Sequence, residues 1–296
     1  MDNVLARPFA RGANWRKLWT FFRRWPVLPV LVFAALVVAA IFAPLLAPSS
    51  PTEGNLEFRN EKPMWYPEGS SRFILGTDAL GRDVLSRVIY GARISLLIAA
   101  IVLGAGAIGG TMLGLVSGYY GGQVDEVAMR FVDLTLAIPF ILIALVVVIV
   151  LGQSLAIIIA LLVIFSWNGF ARQVRGETLQ LKTMDYVSLA RVSGATTSRI
   201  LFKHILPGVT NTVIVVATLR VGSLILTEAT LSFLGVGVPP PTPAWGLMVS
   251  DGRQYISTAW WITCFPGVAI FLTVVSMNFL GDWLRDRWDP RLRQQM

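Results

Sequence analysis

Charge disappears from this chain in long blocks and returns in short ones. No Asp, Glu, Lys or Arg occurs over 25–52, 94–124, 134–171 or 254–281. About 20 apolar residues suffice for a helix to cross a bilayer, and each block is at least that long. The third block is long enough for two crossings, and Gly152-Gln153-Ser154 interrupts it with turn residues. Pro139 predicts a kink in the first of that pair. A further apolar run begins at Gly208 and carries two charges, Arg220 and Glu228. The pattern predicts an all-α polytopic membrane protein with six transmembrane helices. The first block also exceeds the apolar core of about 7–15 residues typical of a cleaved signal peptide, so it reads as a retained span.

The polar segments divide by charge. Residues 1–24 hold Arg7, Arg11, Arg16, Lys17, Arg23 and Arg24 against Asp2 alone, interleaved with Trp15 and Trp19. Residues 53–93 alternate in sign, whereas Arg172, Arg175, Lys182, Arg191, Arg199 and Lys203 make 172–207 basic. Loops rich in Lys and Arg stay in the cytoplasm. Both termini and 172–207 are therefore expected inside, with 53–93 and the segment around Trp245 outside.

Gly106, Gly110, Gly114 and Gly118 recur every fourth residue, nearly on one face of a helix. Small residues at that spacing let helix backbones approach closely in lipid. Gly104, Gly106 and Gly109 also satisfy a dinucleotide fingerprint, but they follow no strand and lie within a span, so packing is the reading adopted.

The most polar interruption in the second half, 183–207, reads as two short helices around a glycine. Asp185 is placed to cap the first, which carries Tyr186, Val187, Leu189 and Ala190 before Gly194 stops it. Thr197 or Ser198 is placed to cap the second, and Pro207 to end it. Isolated helices shorter than roughly 12 residues are marginal in water. Both pieces are expected to take their packing from a partner.

Composition narrows the chemistry. The chain is 55% hydrophobic and 14% charged, with net charge +8, one cysteine (Cys264) and one histidine (His204). An intrachain disulfide is impossible, no His/Cys metal cluster can be assembled, and the basic excess fits positive-inside loops rather than nucleic acid. No Gly-x4-Gly-Lys-Ser/Thr phosphate loop and no nucleophile–base pair is visible, so the chain is expected to be non-catalytic. Arg220 lies roughly 18 Å along the helix from Gly208, deep in the layer. Ionisable groups there face a cavity or a partner, or snorkel to the surface. Arg220 and Glu228 are candidates for the translocation path.

These residues carry a family resemblance. Permeases of ABC importers have a cytoplasmic loop with Glu-Ala-Ala, then Gly, then Ile-x-Leu-Pro. Here Ser188-Leu189-Ala190, Gly194, His204, Leu206 and Pro207 stand at those spacings, with Ser188, Leu189 and His204 departing from it. Phe73-Ile74-Leu75-Gly76-Thr77-Asp78-Ala79-Leu80-Gly81-Arg82-Asp83 is more specific, followed by Gly118-Tyr119-Tyr120-Gly121-Gly122, Leu231-Ser232-Phe233-Leu234-Gly235 and Asp289-Pro290-Arg291. Together they resemble the C-type permease of the peptide/nickel group of bacterial ABC importers.

The resemblance implies a type I (MetI-like) permease in the bacterial inner membrane. It implies a related B-type permease, expected to assemble on the glycine faces, two ATP-binding subunits that hold ATP and Mg, and a periplasmic solute-binding protein. The implied cargo is di- or oligopeptides, with nickel chelates or oligosaccharides in sister systems. A secondary transporter is the other class considered. The division expected is 1–92 as N-terminal segment, first span and external loop, 93–285 as permease domain with docking loop 172–207, and 286–296 as tail. The ATPase contact is expected at Asp185, Tyr186, Ser188, Leu189, Ala190, Arg191, Gly194, Ala195, Leu206 and Pro207.

Overall fold

The computed structural model describes residues 26–288, and within them it is helical apart from loops and one isolated bridge, Thr77–Asp83. The basic aromatic segment 1–24 and Asp289-Pro290-Arg291 lie outside the described residues.

Helix α1 (Val27–Ile41) is apolar throughout and followed by a short helix, Ala43–Leu46. Its 15 residues rise about 22 Å, less than the roughly 30 Å of a hydrocarbon core. A loop then leads to α2 (Val84–Tyr120), which starts well before the uncharged block. The reason is Asp83, whose carboxylate accepts from the Ser86 amide at 2.8 Å and caps the helix early. Gly121 and Gly122 turn the chain at φ +67° and +54° into α3 (Gly122–Ala137). Pro139 then breaks the helix instead of kinking it, and α4 (Phe140–Leu151) leaves at 75° to α3. Gly152 and the Ser154 cap start α5 (Leu155–Leu181).

Helix α6 (Asp185–Val192) is followed by Gly194 at φ +79°. A turn, Thr197–Arg199, passes through a π-helical segment, Ile200–Ile205, into α7 (Leu206–Phe233). Pro207 therefore does not end the second helix. It sits in the first turn of α7, where its missing N–H is not needed, and wide π-type bonds bridge the junction. The chain closes with α8 (Trp245–Gly252) and α9 (Trp261–Trp288).

Among the described residues, four helices are singly long and apolar enough to cross a membrane: α2, α5, the run Thr197–Phe233 and α9. The bent pair α3–α4 makes a fifth only if it counts as one broken span, and α1 is shorter. The all-helical membrane fold is thus as expected, while four to five of the six expected spans reach full length among the described residues.

The glycine stripe joins α2 to α5. A Cβ on Gly110 would meet that of Phe170 at 2.6 Å, one on Gly114 the Arg175 amide nitrogen at 2.9 Å, and one on Gly118 the Thr178 Cβ at 2.8 Å. Gly106 lies against Ser166. This face is filled within the chain, so it is not the surface that receives a partner subunit. Gly104 and Gly109 meet nothing within 4 Å.

Candidate functional site

The docking loop has an inner and an outer face. Val187, Ile200 and Ile205 are fully buried and form an apolar cluster with Leu115 of α2, Val174 of α5 and Val209 of α7. The two short helices are therefore held by their own chain, contrary to the expectation that a partner must supply their packing. The long apolar helices beneath them were not recognised as that platform from the sequence.

The outer face is apolar and open. Met184, Tyr186, Leu189 and Val192 are exposed, Val192 to 88%, and Phe202 is half exposed. On α6, the buried Val187 thus lies among residues that point outward, so the two faces of one short helix are used for different purposes.

The local geometry is set by glycine. After α6, Gly194 N–H donates to the Arg191 carbonyl and Ala195 N–H to the Ala190 carbonyl, both at 3.0 Å. That pair of bonds around a left-handed glycine is a Schellman motif. Met184, not Asp185, occupies the N-cap position, without a side-chain cap bond, and Asp185 lies in the first turn. Thr196 caps the following turn, accepting from the Arg199 amide. Ser188 and Arg191 remain at the surface, Arg191 with its guanidinium 5.9 Å from the Tyr119 ring. Ala195 and Leu206 are partly buried against the cluster. Lys182 donates to the Gly118 carbonyl at 2.7 Å, tying the start of the loop to the end of α2.

The two intramembrane charges are separated. Arg220 lines a cavity of about 380 Å³ between α2, the α3–α4 break, α5 and α7. Its Nη1 donates to the Ser166 carbonyl at 3.3 Å and its guanidinium lies 5.5 Å from the Phe170 ring centre. Glu228 is 2% exposed and accepts from the Ser232 hydroxyl at 2.8 Å, which in turn accepts from the Val238 amide. It is enclosed in its own chain and does not line the Arg220 cavity.

At the other end of the bundle lies a cluster that sequence reasoning quoted as a motif without assigning it a job. Asp78 Oδ2 accepts from Arg82 Nε at 2.7 Å and from Arg87 Nη1 at 2.8 Å, while Oδ1 accepts from the amides of Leu80 and Arg82. Asp251 of α8 stands 3.7 Å from both guanidinium groups. Burial pushes the Asp251 carboxyl up from its ordinary value, with Arg82 opposing. Trp261 donates to the Thr77 carbonyl and Trp245 to that of Val88, at 3.0 and 2.9 Å. The strict order of Gly, Asp and Arg in 73–87 thus encodes a compact fold clamped to α8 and α9.

Residues 110–294 match the family of binding-protein-dependent transport system inner membrane components. The chain belongs to this family. It is 42% identical over 264 residues to a di/tripeptide transport system permease of Pseudomonas aeruginosa (strain UCBPP-PA14), covering 89% of this chain and 87% of that one. It is 39% identical to a dipeptide transport system permease of Haemophilus influenzae, covering 97% and 98%. A glutathione transport system permease of Escherichia coli O1:K1 is 42% identical, covering 98% and 94%. In fold it is similar to an inward-facing MetNI methionine ABC transporter, with TM-score 0.55 and 21% identity over 67% of this chain and 94% of that one. The family permease is the membrane-spanning component of an ABC importer and works with ATPase and binding-protein partners.

Proposed function

We propose that this family permease is the C-type half of a peptide importer, with 183–207 as the seat of an ATP-binding subunit. The carrying observation is the two-faced α6: Val187 is fully buried while Val192 is 88% exposed. An apolar face held rigidly on a packed platform is suited to a groove in another protein. Tyr186, Leu189 and Val192 fill that groove, and Asp185, Ser188 and Arg191 form its polar rim. The names of the relatives, which carry dipeptides, tripeptides or glutathione, support short peptides as cargo.

In this reading a B-type permease completes the path and two ATPase subunits hold ATP and Mg. A solute-binding protein delivers cargo to the outer face, which carries the Asp78 cluster. Both termini lie in the cytoplasm of a bacterial inner membrane, and the chain itself is non-catalytic. Leu189→Asp with Val192→Asp should leave membrane yield near normal while ATPase subunits no longer copurify. Val187→Asp should instead lower the yield. Undiminished copurification with the outer-face pair would refute the docking assignment.

A further inference from the structure

The cavity beside Arg220 is lined by both hydrogen-bond donors and acceptors. Arg220, Ser223, Leu224 and Thr227 line it from α7 at i, i+3, i+4 and i+7, one face of the helix. Among the described residues Arg220 makes no ion pair, and its one hydrogen bond goes to a backbone carbonyl. Asn168 of α5 is 5% exposed and lines the same space. It uses Oδ1 to accept from the Gly169 amide at 2.6 Å, which leaves its Nδ2 as a second donor.

The hydroxyls of the lining offer acceptors instead. Ser223 donates to the Arg220 carbonyl at 3.0 Å, Thr227 to that of Ser223 at 2.8 Å, and Thr135 of α3 to that of Val132 at 2.7 Å. With each hydrogen turned back into its own helix, the oxygens keep free lone pairs. The α3–α4 break forms another wall through Leu136, Ile138, Pro139 and Phe140. Helix α3 ends there with Ile138 extended and, among the described residues, no backbone amide beyond the helix bonding back to its last turn, so its negative dipole end lies at this break.

We propose that this cavity is a subsite for a short zwitterionic peptide. Arg220 and Asn168 take its carboxylate, while the Ser223, Thr227 and Thr135 oxygens and the α3 carbonyl end take its ammonium. The dimensions agree. Ser223 and Thr227 stand roughly 4.5 and 10 Å along α7 from Arg220, and an extended di- or tripeptide spans at most about 7–11 Å. This inference rests on the import reading and adds what the membrane half itself recognises: both charged ends of the cargo, with little regard for side chains.

The test uses the intact complex of both permeases and the ATPase subunits in nanodiscs, without binding protein. Cys264 is replaced by Ser and Leu224 by Cys as a reporter. Ala-Ala should slow maleimide alkylation at position 224, whereas its C-terminal amide should not. Arg220→Leu should abolish that protection and, in proteoliposomes supplied with the binding protein, raise KM for peptide uptake roughly ten- to hundredfold, the range of one charge-assisted contact. Arg220→Lys should recover part of both.

Asn168→Leu and Thr227→Val, which leave the guanidinium in place, should each weaken protection, and Thr227→Val should do so only for peptides with a free amino end. Equal protection by acid and amide would overturn the subsite. So would intact protection alongside loss of the partner permease on Arg220→Leu, which would assign the guanidinium to subunit contact. If the wild-type complex with its binding protein imports no peptide, the import reading itself falls. Normal import with unchanged protection in Arg220→Leu removes the subsite alone.

Discussion

Arg87 donates from Nη1 to Asp78 Oδ2 at 2.8 Å, with the guanidinium 1% and the carboxylate 6% exposed. The same carboxylate oxygen also accepts from Arg82 at 2.7 Å. One buried anion is therefore shared by two buried cations, and Asp251, further off, supplies the second negative charge at 3.7 Å from each. This arrangement fixes the loop before α2 against α8. A family partner on that side of the bundle would meet one preformed surface there, not a mobile loop.

Asp78→Asn should therefore be among the most damaging single changes outside the spans. It leaves two guanidinium groups desolvated without their anion, a loss of about 3–5 kcal/mol for a broken buried pair. Thermal unfolding of the purified complex in detergent should show a marked fall, together with new protease cleavage within 53–83. Asp251→Asn, which removes only the long contacts, should have a much smaller effect. Equal effects of the two changes would show that Asp78 is not the hub.

Glycine on α2 allows a cleaner comparison. Gly114→Val places a side chain where the Arg175 amide nitrogen would be 2.9 Å from the Cβ, while Gly109→Val faces open space. Overpacking of a close helix contact costs about 1–3 kcal/mol. Gly114→Val should reduce membrane yield and melting temperature, and Gly109→Val should leave both near wild type within the limits of helix propensity. If the two variants behave alike, the α2–α5 contact does not depend on the stripe.

The stripe was legible because its period matches a helix face, but its partner was not: a four-residue repeat states that something approaches closely and says nothing about what. The same limit applies at 183–207. Gly194 and the short helix before it follow from local signals, since a left-handed glycine ends α6 at φ +79°. The burial of Val187, Ile200 and Ile205 is a tertiary fact, set by where α2 and α5 happen to end. Pro139 announced a disturbance, yet whether proline kinks or breaks a helix depends on what the neighbours fill, and here α4 turns away by 75°. The Arg220 cavity arises at that break. Its hydroxyls at 223 and 227 look like ordinary helix residues until the opposing wall is present.

Gly194 carries the final prediction. Its left-handed backbone costs a residue with a side chain about 1–2 kcal/mol, and asparagine tolerates it better than most. A Cβ there would meet nothing within 4 Å, so the penalty is conformational and not steric. Such a cost is too small to unfold a bundle whose loop is anchored by Val187, Ile200 and Ile205. It is large enough to distort the Schellman bonds from Gly194 to Arg191 and from Ala195 to Ala190, and with them the angle of α6. Gly194→Val should therefore show near-normal membrane yield, reduced recovery of ATPase subunits, and loss of cargo-stimulated ATP hydrolysis. Gly194→Asn should keep most of both. A collapse in yield with valine would place the glycine in folding instead of coupling, and wild-type ATP hydrolysis at normal yield would remove it from either role.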